Sequence, residues 1–170
     1  MCCFKEKRFR DFDKIDSFLN SYIKNNKNVI TIYRDLNFLN WRFIKNPYKK
    51  YKIFIKKDSK SNITGIIVFS VSGIDNKTLQ IQDIISLNYY SLNKLIKFSL
   101  YFLKKNNMDN IEIWSGKNSY YKDLNNSLSK NGFLVKRKFI KKIIVWSNEY
   151  NYKYLINDKN WFITMAFLRY

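Results

Sequence analysis

Apolar side chains recur three or four residues apart in several stretches of the chain, a spacing that predicts amphipathic helices. The first predicted helix begins at Asp11 or Asp13 and ends near Asn25, because aspartate is a good N-cap and an asparagine-rich run follows. The second begins after Asp35 and ends near Lys45, ahead of an Asn-Pro pair. The other two cover residues 91–105 and, from a cap at Asn118 or Ser119, the residues up to Lys130.

The same spacing assigns inward faces to these helices. The face of the second helix contains four apolar residues, Leu36, Leu39, Phe43 and Ile44. Trp41 and Arg42 lie between them, and we expect both to be core or supporting groups. The Asn131-Gly132 pair that follows the last helix is a typical C-cap.

A strand-rich segment separates the two pairs of helices. Residues 51–57, 63–71 and 79–87 are rich in isoleucine and valine, and only turn-length segments connect them, which predicts an antiparallel meander. The middle strand is almost continuously apolar, as expected when both faces are covered. In the third strand, strict alternation predicts one shared face for Leu79, Ile81, Asp83, Ile85 and Leu87.

Further strands are expected within residues 1–10, 29–33, 110–114, 133–146 and 161–167. The strand–helix–strand passage from 79 to 114 predicts a parallel pair with a crossover connection. No internal repeat and no long linker interrupts the pattern. The chain is therefore predicted to be a single domain over residues 1–170 of α/β (α+β) class, with a mixed, mostly antiparallel sheet flanked by about four helices.

The junction between strand 79–87 and helix 91–105 is the first candidate site. We expect a short loop, Asn88, Tyr89 and Tyr90, with the helix opening at Ser91. A helix N-terminus presents unpaired N–H groups and the positive end of the helix dipole, which suit an anionic ligand.

Composition narrows the possible functions. The chain has no histidine, and its two cysteines, Cys2 and Cys3, are adjacent, which excludes a histidine-dependent mechanism and gives no metal site. No apolar run is long enough to insert in a membrane, and no leader is evident, so a cytoplasmic protein is expected. The net charge of +19 suits nucleic acid, but the lysines are spread along the whole chain, so nucleic acid is not the expected partner.

Several segments resemble the GNAT superfamily of acetyl-CoA-dependent N-acetyltransferases, in a subgroup with an Asn-Trp-Arg segment before the meander. The resemblance rests on Arg34-Asp35, Phe38-Leu39-Asn40-Trp41-Arg42-Phe43, Asn46-Pro47, Gly65, Asp83, Leu128-Ser129-Lys130-Asn131-Gly132-Phe133 and Asn160-Trp161-Phe162-Ile163-Thr164. It covers nearly the whole chain and implies the GNAT acyl-CoA N-acyltransferase fold.

The resemblance also implies the co-substrate and the residues that hold it. Acetyl-CoA or another acyl-CoA would bind along the third meander strand and the junction, and no metal would be needed. The implied contacts are Ile85, Ser86, Leu87, Tyr89, Tyr90, Ser91, Leu92 and Asn118. The acceptor would be an amine of a small molecule or peptide, and a homodimer stays open.

Two departures from the GNAT pattern stand at this site. The glycines that let a pyrophosphate approach the backbone are absent, and Tyr89 and Tyr90 occupy that loop. Leu128 stands where many members carry a tyrosine acid.

Asp83 is the candidate base, because it is a carboxylate on a strand face that is otherwise apolar. Its alternative role is structural, as the partner of Arg34, Arg42 or backbone N–H groups. Tyr120, or its neighbour Tyr121, is the candidate acid; the alternative is an ordinary residue of an amphipathic helix.

Three functional hypotheses follow. The first is an N-acyltransferase, in practice an N-acetyltransferase, acting on an unidentified amine. The second is a catalytically degenerate GNAT-fold domain with a binding or structural role. The third is a basic protein associated with nucleic acid.

Overall fold

The computed structural model describes residues 4–6, 12–26, 31, 33–72, 77–116 and 121–134. The strands are β1 (Phe4–Glu6), β2 (Lys52–Lys57), β3 (Ile63–Ser72), β4 (Thr78–Ser86) and β5 (Asn110–Ile113). The helices are α1 (Phe12–Asn25), α2 (Leu36–Leu39), α3 (Tyr89–Lys105) and α4 (Lys122–Lys130), and a π-helical turn, Asn40–Ile44, continues α2. The strands expected over 133–146 and 161–167, and most of the piece expected over 29–33, lie outside the described residues.

The five strands form one sheet in the order β1-β2-β3-β4-β5. Neighbours from β1 to β4 are antiparallel, and β4 and β5 are parallel. The predicted meander and the predicted parallel pair are both confirmed, as is the mixed, mostly antiparallel sheet. In the described residues, no helix has the length and apolar character needed to cross a membrane.

Helices cover the sheet on both faces, each over its own apolar cluster. On one face, side chains of α3 and α4, such as Leu95 and Leu124, pack on Phe54, Phe69 and Ile81. On the other face, side chains of α1 and α2, such as Ile15 and Leu39, pack on residues such as Ile55, Ile66 and Ile85. Because both faces are covered, β2 and β3 are buried along nearly their whole length rather than alternating.

A β-bulge in β4 changes which face its side chains occupy. Val68 of β3 pairs with Asp83, but the next residue, Phe69, pairs with Ile81, so Gln82 is the extra residue. Ile81 therefore packs under α3, whereas Ile85 packs under α1 and α2. The prediction of one shared face from Leu79 to Leu87 is wrong, because a period-two pattern does not survive an inserted residue.

The π-helical turn has a comparable effect on the second helix. The helix starts at the predicted cap, where Asp35 Oδ1 accepts a hydrogen bond from Phe38 N at 2.7 Å. The wider turn then places Arg42 and Phe43 inward, at 5% and 3% exposure. Trp41 and Ile44 are left 65% and 48% exposed, so the expected burial of these two side chains is wrong.

Helix α3 begins at Tyr89, two residues before the predicted start. Asn88 is the N-cap, and its Oδ1 accepts from Ser91 N at 2.8 Å, so the predicted loop residues Tyr89 and Tyr90 are the first residues of the helix. Helix α4 ends at the predicted C-cap. Phe133 N donates to Leu128 O and Gly132 has a φ of 82°, as in a Schellman motif.

Gly65 allows α3 to lie close to the sheet. A Cβ at this position would stand 2.8 Å from Leu95 Cδ1 and 3.2 Å from Ile85 O. The absence of a side chain in β3 therefore fixes how near α3 approaches the end of β4.

Candidate functional site

Strand β4 is longer than its neighbour β5. The two strands pair from Thr78 and Asn110 to Ile81 and Ile113, where β5 ends. From the bulge at Gln82 onward, β4 continues without a partner on that side among the described residues. Two of its final residues, Ile84 and Ser86, line a cavity.

A cavity of about 260 Å³ lies beside the end of β4. It is bordered by the end of α1, the end of β4, the first turn of α3 and the start of α4; its lining includes Tyr22, Ile84, Ser86, Tyr89 and Leu124. The β4–α3 junction thus meets the end of α1 and the start of α4 around one space.

The first turn of α3 points its N–H groups toward this region. Asn88 satisfies two of them, since its Oδ1 accepts from Ser91 N and its backbone oxygen accepts from Leu92 N. Within the described part of the chain, no acceptor pairs with the N–H groups of Tyr89 and Tyr90. These two amides and the helix dipole favour an anion at the mouth of the cavity.

Three lysines approach the two tyrosines at this helix start. The Lys56 and Lys94 ammonium groups lie 5.6 and 5.3 Å from the centroid of the Tyr90 ring. Lys130 of α4 lies 5.6 Å from the centroid of the Tyr89 ring. Their positive charges add to the field of the helix N-terminus.

Tyr89 also brings a hydroxyl group into the site. Its oxygen is buried and has no hydrogen-bond partner among the described residues. A buried hydroxyl without a partner costs free energy, so a ligand that bonds to it gains that energy back.

Four of the sequence-predicted binding residues line the cavity: Ser86, Leu87, Tyr89 and Leu92. Tyr90 stands 62% exposed beside it, and Ser91 is buried. Ile85 belongs to the apolar cluster under α1 and α2, on the opposite face of the sheet from Ile84. Tyr120 and Asn118 lie outside the described residues.

Asp83 is also on the α1 and α2 side of the sheet. Its Oδ2 accepts from Arg34 Nε at 2.7 Å, and both side chains are 1% exposed. Its Oδ1 accepts from Ile84 N at 3.1 Å, and Arg34 Nη1 donates to Thr31 Oγ1. This is the arrangement of the structural alternative; the assignment of Asp83 as a base stays a prediction.

The Arg34–Asp83 pair influences the groups around it. Burial alone would lower the pKa of the Arg34 guanidinium, but the charge and hydrogen bond of Asp83 raise it further than burial lowers it. Arg34 therefore stays charged, and Asp83 balances that charge inside the protein.

Tyr22 is a site residue that the sequence did not single out, because it belongs to the apolar face of the first predicted helix. It lines the cavity from the last turn of α1, and burial raises its pKa to about 12, with Arg34 opposing the shift and Asp83 and Tyr121 adding to it. Its phenol is therefore protonated at neutral pH. Its position at the end of an apolar helix face, rather than in the middle, was the only available signal.

Solved structures with a similar fold come from several bacteria. A GNAT-family acetyltransferase from Staphylococcus aureus Mu50 is 21% identical, with a TM-score of 0.55 over 81% of this chain and 87% of that chain. A second GNAT-family acetyltransferase, from S. aureus USA300, is 15% identical, with a TM-score of 0.57 over 84% and 98%. A protein from Thermus thermophilus is 13% identical, with a TM-score of 0.57 over 85% and 98%.

The chain has the fold of the GNAT acetyltransferases. No model of a protein family matches the sequence, and no curated protein sequence matches it either. At these identities the comparison with solved structures establishes the GNAT fold, while activity depends on the site itself.

Two features of this GNAT fold coincide with the departures in sequence. Tyr89 and Tyr90 stand where the GNAT pattern has glycines; Tyr89 lines the cavity, and Tyr90 is largely exposed. Leu128, in the place of the tyrosine acid, is 7% exposed and packs in the core under α4.

In the described part of the chain, no three His, Cys, Asp or Glu side chains are grouped so that they could hold a metal ion.

Proposed function

We propose that the chain is an N-acyltransferase that moves an acyl group, in the first instance acetyl, from acyl-CoA to an amine. One observation supports the proposal most directly: β4 extends past the end of β5, beside a cavity that reaches the N-terminus of α3. The extended pantetheine arm of acyl-CoA can form hydrogen bonds with the peptide groups of such a strand edge. The phosphates of acyl-CoA can bind the amides at the start of the helix.

Charged and polar groups of this chain would hold the donor. Phosphate oxygens would accept from the amides of Tyr89 and Tyr90 and lie in the field of Lys94 and Lys130. The buried hydroxyl of Tyr89 would donate to a polar atom of the arm. Asn88 keeps the helix start rigid, since it caps the next amide.

The bound thioester supplies an acyl carbon that an amine can attack directly. The N–C bond forms as the C–S bond breaks, the amine loses one proton, and the departing thiolate takes one up. Asp83 or a water near it is the candidate acceptor of the first proton, and Tyr120 is the candidate source of the second. Rate enhancement would come mainly from holding amine and thioester together.

We also propose that the chain belongs to the subgroup with an Asn-Trp-Arg segment, and the support for this is the sequence of Asn40, Trp41 and Arg42. Arg42 in this segment is buried, its Nη1 donates to the Tyr51 hydroxyl at 3.1 Å, and the segment thereby ties the π-helical turn to the sheet.

The second candidate function is a degenerate GNAT-fold domain that binds or supports without catalysis. Two substitutions relative to the GNAT pattern favour it. Leu128 packs in the core where many members have a tyrosine acid, and Tyr89 and Tyr90 replace the glycines at the start of α3.

Isothermal titration with acetyl-CoA, together with thermal shift, tests the proposal. We expect measurable heat and a raised melting temperature, since a ligand of the folded state stabilises it. The variant Lys94→Gln/Lys130→Gln should bind about tenfold more weakly, because two charges near the phosphates are lost. The control Lys97→Gln/Lys104→Gln removes two exposed lysines from α3 outside the cavity and should bind normally.

The two candidate functions differ in turnover. Release of free thiol when a mixture of amines is added supports the acyltransferase, and binding without thiol release supports the degenerate domain. Absence of both heat and thermal shift at millimolar acetyl-CoA overturns the acyltransferase.

A further inference from the structure

The geometry points to a second ligand site at the opposite end of α3, one that takes a small organic anion with an apolar body. The site is a cavity of about 340 Å³, within the range of small-molecule sites. It does not depend on the proposed acyl transfer.

This second cavity is well separated from the first. Leu79 lines it near the start of β4, whereas Ile84 lines the other cavity near the end of the strand, about 16 Å away at the usual rise of a strand. Along α3, Phe102 and Leu92 border the two cavities, about 15 Å apart at the rise of a helix. One ligand of modest size does not occupy both.

The floor of the cavity is apolar and rigid. It is formed by Phe69, Leu79 and Phe102, which are at most 7% exposed and belong to the cluster under α3. The Phe69 and Phe102 rings stack with centroids 5.2 Å apart, which fixes their positions. Phe69 and Leu79 are fully buried, so an apolar group in the cavity would cover the carbon surface that Phe102 leaves accessible, and the two buried side chains support that ring from below.

The rim of the same cavity is cationic. Lys49, Lys50 and Lys52 all line it, and no lining residue in the described part of the chain is acidic. Lys49 Nζ donates to Gln80 Oε1 at 3.2 Å, which holds that lysine beside the sheet. The Lys52 ammonium stands 5.5 Å from the centroid of the Phe102 ring, directly between the rim and the floor.

Two of these charges are without a counter-ion in the described residues, since Lys50 and Lys52 form no ion pair there. The three lysines attract an anion. The aromatic ring beneath them makes a favourable contact with an apolar part of the same molecule. The chemistry that fits both is a carboxylate or similar anion joined to an aromatic or aliphatic body.

Three probes separate the contributions of charge and body. 4-Phenylbutyrate has a negative charge and an apolar phenylalkyl group. 4-Phenylbutanol has the apolar group without the charge, and inorganic phosphate has the charge without the apolar group. By titration calorimetry we expect 4-phenylbutyrate to bind at least about tenfold more tightly than either of the others. In methyl-labelled protein, the same probe should shift the NMR signals of Leu79 and leave those of Leu124, which lines the other cavity, unchanged.

Lysine variants assign the effect to the rim. Lys50→Gln/Lys52→Gln should lower the affinity for 4-phenylbutyrate about tenfold, because two positive charges near the carboxylate of the ligand are lost. Lys14→Gln/Lys24→Gln, which removes two exposed charges from α1, should bind like the unmodified protein. Lys50 and Lys52 do not line the first cavity, so acetyl-CoA binding by Lys50→Gln/Lys52→Gln should not change.

Equal affinity for the acid and the alcohol, or equal loss in both lysine pairs, overturns the inference. So does a shift of the Leu124 methyl signals in place of those of Leu79. Failure of acetyl-CoA to bind leaves this site untouched, because none of its lining residues takes part in the proposed transfer.

Discussion

At the scale of single residues, Asp83 has both carboxylate oxygens occupied. Arg34 takes Oδ2 and the Ile84 amide takes Oδ1, inside a region with 1% exposure. A buried pair of this kind costs desolvation on both sides and is stable only while it is complete. Any test of Asp83 as a base therefore has to separate lost chemistry from lost stability.

We expect Asp83→Asn to lower the free energy of unfolding by about 3 to 5 kcal/mol, because it leaves the buried Arg34 charge without its partner. Urea denaturation measures the loss. The double variant Arg34→Met/Asp83→Leu should regain most of it, since apolar side chains of similar size replace the whole pair.

Acyl transfer by the refolded double variant then decides the role of Asp83. If Asp83 is the base, the double variant is stable and inactive. Recovery of turnover together with stability would show that the carboxylate serves only the ion pair.

Tyr22 gives a pH dependence with a definite direction. Its pKa is raised from 10.0 to about 12 in the folded protein, so the folded state keeps this proton when the unfolded state has lost it. The stabilisation is complete below pH 10 and disappears as the pH rises to about 12. It amounts to at most about 3 kcal/mol.

Tyr22→Phe should therefore flatten the loss of stability between pH 9 and about 12. Urea unfolding of the unmodified protein and of Tyr22→Phe across this range measures the difference in their free energies of unfolding. The contributions of the other tyrosines and of the lysines cancel, because both proteins contain them. An unchanged slope in Tyr22→Phe would contradict the assignment.

Residue identities in the site were only partly accessible from the sequence. Tyr89 and Leu92 were predicted because the resemblance to GNAT proteins implies cofactor contacts at the strand–helix junction, and both line the cavity. Tyr22 was not, because a residue on an apolar helix face gives no sign that the face ends at a cavity. The partner of Asp83 was left open among Arg34, Arg42 and the backbone, since a contact between residues 49 positions apart has no local signature.

At the scale of elements, Gly65 sets the distance between α3 and the sheet. Gly65→Ala should cost about 1 to 3 kcal/mol, because its Cβ would press on Leu95 Cδ1 and Ile85 O. In Gly65→Ala/Leu95→Ala the leucine methyl group that clashes is gone. The double variant should therefore lose about 1 kcal/mol less free energy of unfolding than the sum of the losses in the two single variants.

Gly132→Ala is a matched control for this cycle. Its Cβ would meet no atom within 4 Å, and its cost arises only from a φ of 82°. Gly132→Ala and Leu95→Ala should therefore be additive in urea denaturation. Additivity in the Gly65 cycle as well would show that α3 moves freely away from β3.

Most helices and strands were predictable because their apolar periods are regular over many residues. The exceptions are the two places where one residue breaks the period, the π-helical turn at Asn40–Ile44 and the bulge at Gln82. The π-helical turn leaves Ile44 exposed, and the bulge moves Asp83 to the opposite face of the sheet from Ile81. Such insertions depend on packing between layers, which a single sequence does not display.

At the scale of the whole molecule, the order of elements was enough to indicate the topology. Turn-length connections require an antiparallel meander, and a helical crossover requires a parallel pair. The charge of +19 gave less information, because its lysines are spread over all elements. The structure shows where a few of them gather, around Tyr89 and Tyr90 and around the cavity at the other end of α3.

The bulge at Gln82 changes which positions of β4 face each layer of helices, since Ile81 and Ile84 lie under α3 and Ile85 lies under α1 and α2. A change of size at Ile81 has to be absorbed by α3, and a change at Ile85 by α1 and α2. Although four positions apart on one strand, these isoleucines share no packing partners across the layers, so compensating substitutions for each would arise in separate parts of the chain.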